Sequence, residues 1–237
     1  MELLEAMRTQ NACRYYLPDP VPDQVFHRAV EAARFAPQGG NRGPVRFLIV
    51  RDPARKRQLG EWYLKRWRGI RSASAEESAR AGGAGRPYPG WVGLSNPERS
   101  HADTDHFAEH FGEHPAIVVV CADLAAVHPT DAELGRLSIV GGASVYPMVQ
   151  NFCLALRDQG LGTALTTLLV ADEPRVKQLL GIPERFSTAC HVVAGYPARG
   201  FPSRLRRPAV RDLAFVEVFG QPVDVDATEP GRSTPSP

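Results

Sequence analysis

The chain has 237 residues, of which 43% are apolar, and this content suits one large globular domain or two small ones. Its 28 basic and 26 acidic residues give a net charge of +2, which does not favour a general nucleic-acid or membrane surface. No apolar run approaches the roughly 20 residues that span a bilayer, and the acidic, amphipathic start Met1–Met7 is not typical of a signal peptide. Cys13, Cys121, Cys153 and Cys190 form no CxxC pair and have apolar neighbours, so we expect reduced, mostly buried thiols in a cytoplasmic protein.

Hydrophobic periodicity predicts an ordered first half that one long irregular stretch interrupts. Residues 71–105 lose this periodicity and are rich in Ala, Gly, Ser and Arg. Loops of this length in a compact domain are usually lids or disordered inserts, and both interpretations stay open here. The elements predicted around the insert are a helix over Pro22–Phe35, a strand over Val45–Val50, a helix that opens at Asp52-Pro53 and runs through Trp67, and a buried strand over Ala116–Cys121.

The second half alternates helices and strands more closely. The polar, Pro-rich tail over residues 226–237 predicts disorder. The mixture of elements indicates an α+β fold with few strands and long helices. The predicted elements are a helix over Val145–Gly160, an extended segment over Thr163–Leu169, a helix that Asp172 caps and that ends at Gly181, a strand over Thr188–Ala194 and a final strand over Ala214–Phe219.

A short glycine loop is the first candidate for a ligand site. Pro37-Gln38-Gly39-Gly40-Asn41 lies between the predicted helix over Pro22–Phe35 and the strand that follows it. A Gly-Gly pair that closes on Asn is costly as a simple turn, and it frees the backbone to approach a flat ligand closely. The loop therefore favours contact with a planar group.

A helix followed by a glycine turn is the second candidate. Tyr146-Pro147-Met148-Val149-Gln150-Asn151 is followed by Gly160-Leu161-Gly162-Thr163. An ordinary helix stop is the simpler interpretation, because helix–Gly–strand junctions are common. In the functional alternative, the turn brings backbone N–H groups to the edge of a ligand.

A run of arginines is the third candidate. A solvated surface patch is the simpler interpretation of such a run, whereas guanidinium groups also suit phosphate oxygens. Five of the arginines fall within thirteen residues that contain no acid, and a sixth lies near the N-terminus: Arg199, Arg204, Arg206, Arg207, Arg211 and Arg14.

Three histidines allow two interpretations, a metal site or the solvent-facing polar side of a helix. His106, His110 and His114 are spaced four residues apart, so a helix would place the first two on one face. The HExxH order is absent, and we favour a solvent-facing polar side with Phe107 and Phe111 packed inward or toward a ligand. Because the chain also lacks G-x-G-x-x-G, P-loop and G-x-S-x-G motifs, it is typical of a protein whose cofactor performs the chemistry.

Together these motifs resemble the nitroreductase-like FMN-dependent oxidoreductase family, over roughly residues 2 to 220. The glycine loop is similar to the family's AP-S-G-x-N loop, and the helix and turn are similar to its P-x-x-Q-N helix and G-L-G-T turn. The resemblance implies an α+β nitroreductase-like fold with a mostly antiparallel sheet flanked by helices, and an intertwined homodimer. It implies one domain over residues 1–220 with a lid insert at about 71–105, and a disordered tail over 221–237.

The resemblance also implies a cofactor, a partner and a set of site residues. FMN would lie at the dimer interface, NAD(P)H would donate hydride to flavin N5, and a nitroaromatic, quinone or enone acceptor would be reduced by ping-pong kinetics. No metal, nucleic acid or membrane is implied. The residues implied for cofactor binding are Gln10, Asn11, Ala12, Arg14, Pro37, Gln38, Gly39, Asn41, Leu165, Thr166, Thr167, Leu168, Arg204, Arg206 and Arg207, with Tyr88 and Trp91 on the substrate lid.

The chain departs from the family pattern at several of these positions. Gln10, Asn11 and Ala12 replace the residues common in the family's phosphate motif, and Gln38 replaces a common Ser. Gly43 and Val45 replace a common Gln and Trp. These changes suggest a specialised acceptor. The alternatives are a flavin-binding or flavin-sequestering protein without turnover, and a specialised flavin-destroying or dehalogenating enzyme.

Overall fold

The computed structural model describes residues 1–72, 97–203, 205 and 207–223. The chain divides into two compact units, Met1–Ser203 and Arg204–Pro237. The described part of the first unit contains the helices α1 (Leu3–Thr9), α2 (Asp23–Ala33), α3 (Pro53–Ser72), α4 (Pro97–Glu109), α5 (Tyr146–Asp158) and α6 (Glu173–Leu180), and the strands β1 (Val45–Val50), β2 (Ala116–Asp123), β3 (Gly162–Thr166) and β4 (Phe186–Gly195).

The four strands form one antiparallel sheet in the order β1-β2-β4-β3. Residues 116–122 of the central strand β2 are all buried, as expected for an apolar run that is covered on both faces. The pairing of β2 with β4 shifts register between Val120 and Cys121, so β4 carries an extra residue there. The predicted α+β architecture, with a mostly antiparallel sheet flanked by helices, is confirmed.

One face of the sheet is covered by α2 and α5. Their apolar stripes are buried against the even-numbered residues of β2 and against Val192 of β4. Phe152 of α5 is fully buried, and its ring stacks on that of Phe47 with centroids 4.7 Å apart. The stripes that periodicity predicts on these two helices are therefore the ones that fold against the sheet.

The opposite face is covered by α3 and α4 and is rich in aromatic rings. Tyr63 stacks on Phe111 at 4.0 Å between ring centroids. The chain after α4 approaches α3 closely, because a Cβ on Gly60 would lie 2.7 Å from the backbone nitrogen of Gly112. Fully buried His191 of β4 pairs with Val119 and Thr166 in the sheet, on this aromatic face.

Three predictions about elements are wrong, two of them only in part. Residues 97–109 form α4, although the predicted irregular insert extends to residue 105. Asp172 gives no cap hydrogen bond to α6, because its carboxylate accepts instead from Arg66 at 2.8 and 3.2 Å. The prediction of a final strand over Ala214–Phe219 is wrong altogether, since this segment is a turn with a single bridge between Phe215 and Pro222, and Glu217 within it has a φ of 58°.

Other predictions hold or fall outside the described chain. Gly181 ends α6 in the left-handed conformation with a φ of 66°. The four cysteines are free and buried, as predicted. Among the described residues, no helix has the length and apolar character needed to cross a membrane. The central part of the predicted insert, residues 73–96, and the predicted tail over 226–237 lie outside the described residues.

Candidate active-site cleft

The N-terminal segment after α1 is attached to β3. Ala12 forms a parallel bridge with Thr163, and the Cys13 N–H donates to the Thr163 carbonyl at 2.8 Å. This close approach requires glycine at position 162, because a Cβ there would lie 2.7 Å from the Cys13 sulfur. As a result, the Arg14 side chain reaches the end of β3, although the two are about 150 positions apart in the sequence.

A cleft of about 330 Å³ opens at this junction. Its walls combine flat aromatic and aliphatic side chains with a few hydroxyl groups and one guanidinium group. The described residues that line it are Ala12, Arg14, Tyr63, Trp67, Ile70, Thr104, Phe107, Ala164, Leu165, Thr166, Thr167 and Leu168.

Hydrogen bonds hold the polar groups of the cleft in place. The Tyr63 hydroxyl and Thr166 Oγ1 are 3.3 Å apart, and the Leu168 N–H donates to the same Thr166 oxygen at 3.3 Å. The Trp67 indole N–H donates to Asp105 at 2.7 Å. These bonds join α3 to α4 and to the end of β3, so the walls of the cleft are fixed relative to one another.

A second hollow of about 250 Å³, here called the cationic recess, adjoins the cleft. Ala12 and Arg14 line both hollows. The guanidinium carbon of Arg199 lies 3.3 Å from the Tyr15 ring centroid, and Arg199 also contacts Asp103 at 3.2 Å. Since Arg14, Arg99 and Arg199 line the recess with Asp103 as its one described acid, the recess carries an excess of positive charge.

The environment of the recess shifts several pKa values. Burial alone raises the pKa of Asp103, but the hydrogen bond from Tyr15 and the Arg199 charge outweigh it, and the net shift is downward. Burial, followed by electrostatic interactions with His110 and Arg199, lowers the pKa of His106. Asp103 therefore stays ionised and His106 neutral near pH 7, and the arginines supply the positive charge.

The structure brings several of the predicted site residues together. Ala12, Arg14, Leu165, Thr166, Thr167 and Leu168 line the cleft, and Asn11 lines the cationic recess. Gln10 lies beside them, since its amide donates to Thr163 Oγ1 at 3.2 Å and accepts from Gln150 at 3.5 Å.

The predicted glycine loop does not reach this cleft within one chain. The Gly39 N–H donates to Ser144 Oγ at 3.0 Å, just before α5. Asn41 has a left-handed φ of 51°, and the Gln38 Oε1 atom is buried without a partner among the described residues. Neither Pro37 nor any other residue of the loop belongs to the described lining of the cleft.

The remaining predicted residues lie outside the described residues or in the second compact unit. Arg204, Arg206, Tyr88 and Trp91 lie outside the described residues. Arg207 is exposed and belongs to the second compact unit. The predicted roles of these residues stay predictions.

The histidine series has a mixed outcome. The rings of His106 and His110 lie 4.4 Å apart between centroids and are tilted by 43°. His114 is buried against Phe107 and is not on the solvent-facing side predicted for it. Phe107 and Phe111 pack inward as predicted. Among the described residues, no group of three or more metal-binding side chains is placed to hold an ion.

Sequence reasoning missed the aromatic wall of the cleft. Tyr63, Trp67 and Ile70 follow one another at spacings of four and three residues, which is the face of one helix. The same spacing is typical of core residues, and Tyr63 and Trp67 are indeed buried. The signal was therefore present, but it did not separate a core face from a cleft wall.

The fold and the cleft define a class of protein. An antiparallel α+β sheet with a flat, mostly apolar cleft beside a cationic recess fits a protein that binds a planar ligand with an anionic group. The family model described as "Nitroreductase family" matches residues 7–196, and the chain belongs to this family.

Individual relatives agree with this assignment. The protein named NADH dehydrogenase from Thermus thermophilus is 30% identical over 201 residues, which cover 82% of this chain and 86% of that protein. Iodotyrosine deiodinase 1 from Rattus norvegicus is 24% identical over 199 residues, which cover 84% of this chain and 63% of that protein. The crystal structure of a nitroreductase with bound FMN from Desulfitobacterium hafniense has a TM-score of 0.62 and 18% identity, and the match covers 92% of this chain and all of that one.

Proposed function

We propose that this chain is an FMN-dependent oxidoreductase that takes reducing equivalents from NADH or NADPH and passes them to a small conjugated acceptor by a ping-pong scheme. Family membership and the relatives named NADH dehydrogenase and nitroreductase support the general reaction. The observation that carries the proposal is the cleft itself, which combines flat walls with hydroxyl groups and opens onto the cationic recess.

The residues of the cleft fit FMN by their chemistry. Tyr63, Trp67 and Phe107 offer flat apolar surface for an aromatic ring system. Thr166 and the backbone of the turn that follows it offer polar groups at the ring edge. Arg14 and the other cations of the recess suit the oxygens of a phosphate dianion.

Each part of the chain has a distinct task in this proposal. When bound, FMN supplies the two-electron chemistry at its N5 position. Arg14, with Arg204, Arg206 and Arg207 as further predicted ligands, neutralises the phosphate. Thr166, held by Tyr63, orients the ring edge, and the apolar walls exclude water from the reacting face.

We also infer that the working form is a homodimer in the cytoplasm. The apolar stripe of α5 is covered within one chain, so this stripe is not an argument for a dimer. Other apolar side chains support it because they lie more than half exposed: Leu3, Leu4, Met7, Leu134, Leu137 and Ile139. A dimer also explains why the Pro37–Asn41 loop lies outside the cleft of its own chain, since it can then complete the cleft of the partner. The buried free thiols fit a reducing compartment.

A visible spectrum of the purified protein tests the proposal directly. We expect a yellow protein whose flavin absorbance bleaches when NADH or NADPH is added without oxygen, and returns when a quinone or nitroaromatic is added. A yellow protein that neither donor bleaches supports the flavin-binding alternative without turnover. Light scattering tests the dimer, and a stable monomer that retains FMN contradicts a site shared between two chains.

Reductive dehalogenation is the second candidate, and the similarity to iodotyrosine deiodinase favours it. In that reaction two electrons and a proton replace a carbon–iodine bond with a carbon–hydrogen bond, and iodide leaves. Iodide release from iodotyrosine by the reduced protein would support it. Reoxidation by quinones without any iodide release would favour the first candidate.

A further inference from the structure

A second cationic region adjoins the cleft and is not used by the proposed flavin site. We call it the α3–α6 groove; it has a volume of about 630 Å³ and meets the cleft at Ile70 and Leu168, which line both. The other residues that line it are Trp62, Lys65, Arg66, Gly69, Ala171, Asp172 and Arg175. The cationic recess meets the cleft at different residues, Ala12 and Arg14.

The groove carries a net positive charge. Lys65, Arg66 and Arg175 face one described acid, Asp172. That carboxylate is buried and already held by Arg66 at 2.8 Å and Arg175 at 3.5 Å. The hydrogen bond from Arg66 lowers the pKa of Asp172, so the acid stays ionised and balances one of the three cations.

The groove also offers a flat aromatic surface beside these cations. The Arg175 guanidinium carbon lies 4.3 Å from the ring centroid of half-buried Trp62. Gly69 adds no side chain to this wall, and a Cβ built there would meet no atom within 4 Å. The open space at Gly69 therefore leaves room for a planar base next to cations that suit phosphate oxygens.

We propose that the α3–α6 groove binds the adenosine diphosphate portion of the nicotinamide dinucleotide donor. This inference rests on the proposed function. A donor whose nicotinamide enters the cleft must place two phosphates and an adenine outside it. The groove combines a net excess of two positive charges with an aromatic side chain, directly beside the cleft, and so matches both groups.

The test compares binding of ADP and of adenosine 2′,5′-bisphosphate by calorimetry, with and without FMN. Lys65→Ala with Arg175→Ala removes two cations, while Arg66 still holds Asp172. Each lost charge-assisted contact weakens binding by about tenfold or more. We therefore expect the double variant to bind ADP at least about tenfold more weakly than wild type does. Arg68→Ala, on the same helix but outside the groove lining, is the matched control and changes binding by less than about twofold. The single variant Arg175→Lys keeps the positive charge, and we expect it to retain most of the ADP affinity of wild type.

A second arm uses reduced nicotinamide riboside, which lacks the adenosine diphosphate portion. The double variant raises the KM for NADH by the same factor as the loss in ADP affinity, and leaves the KM for the riboside and the Kd for FMN unchanged. The proposal is overturned if wild-type protein binds ADP no better than the double variant, if the riboside KM rises equally, or if FMN binding weakens instead. Protein that is reduced by neither NADH, NADPH nor the riboside contradicts the proposed function, and ADP binding then still decides the groove.

Discussion

The two faces of the sheet differ in what they bury. The face under α2 and α5 buries an almost wholly apolar set that includes Phe26, Val149 and Phe152. The face under α3 and α4 buries aromatic rings together with the polar side chains of His191 and Thr188. Thr163 and Arg157 are also buried on the α5 side of the sheet. The cleft with its hydroxyl groups nevertheless opens on the α3–α4 face, so we assign the function to that face and the support to the other.

The largest expected effect belongs to the apolar face. Phe152→Ala removes a fully buried ring that stacks on Phe47 and should lower the free energy of unfolding by about 3–5 kcal/mol. Chemical denaturation measures this loss. Phe35→Ala, at a ring that is 74% exposed, is the control and should change stability by less than about 0.5 kcal/mol. Similar losses in both variants would contradict the assignment of this face as the support.

The aromatic face should make stability depend on pH. Burial lowers the pKa of His191 to about 4, and burial is also the main reason that the pKa of His114 is lowered to about 4. The unfolded chain binds protons at an ordinary pKa near 6.5, whereas the folded chain does not, so stability falls as pH drops from about 6.5 to about 4. The slope is about 1.4 kcal/mol per pH unit for each histidine.

His191→Phe isolates one of these contributions. Both ring nitrogens of His191 lack a hydrogen-bond partner among the described residues. Replacing this ring with the apolar ring of Phe therefore removes no hydrogen bond to any of those residues. Denaturation at pH 7 and pH 5 should show a smaller acid loss in this variant than in wild type. An unchanged acid loss would mean that other groups set the pH dependence.

The phosphate contacts should affect ligand affinity without a comparable change in stability. Losing Arg14 or Arg207 should cost about 1.5–3 kcal/mol of FMN binding, roughly ten- to a hundredfold in affinity. Riboflavin lacks the phosphate and should bind nearly as well to Arg14→Ala and Arg207→Ala as to wild type. Fluorescence titration with both flavins decides. Equal weakening of FMN and riboflavin would assign the arginine to packing.

The smallest expected effect belongs to the glycine loop. Asn41 has a positive φ, so Asn41→Ala adds backbone strain, while Asn41→Gly removes the amide without that strain. If Asn41 contacts flavin across the dimer, one lost hydrogen bond of about 0.5–1.5 kcal/mol should slow turnover about two- to tenfold in both variants. Stopped-flow measurement of flavin reduction and thermal melts separate a role in flavin contact from a role in stabilising the turn. Normal flavin reduction in Asn41→Gly, with a lower Tm only in Asn41→Ala, would limit the residue to the turn.

Local patterns determined most of the elements of this protein. The apolar run of β2, the stripes of α2 and α5 and the stop at Gly181 each depend on a few neighbouring residues, so they can be read from the sequence. Buried free cysteines followed from their apolar neighbours in the same way. The family assignment used the order of several such local motifs.

Only the tertiary structure decided which of these motifs meet. Arg14 and Leu165–Leu168 share a cleft because the N-terminal segment pairs with β3, whereas the Pro37–Asn41 loop contacts Ser144 instead. Asp172 pairs with Arg66 across the fold although its position predicts a helix cap. Such contacts depend on the packing of distant elements, and local propensity carries no information about them.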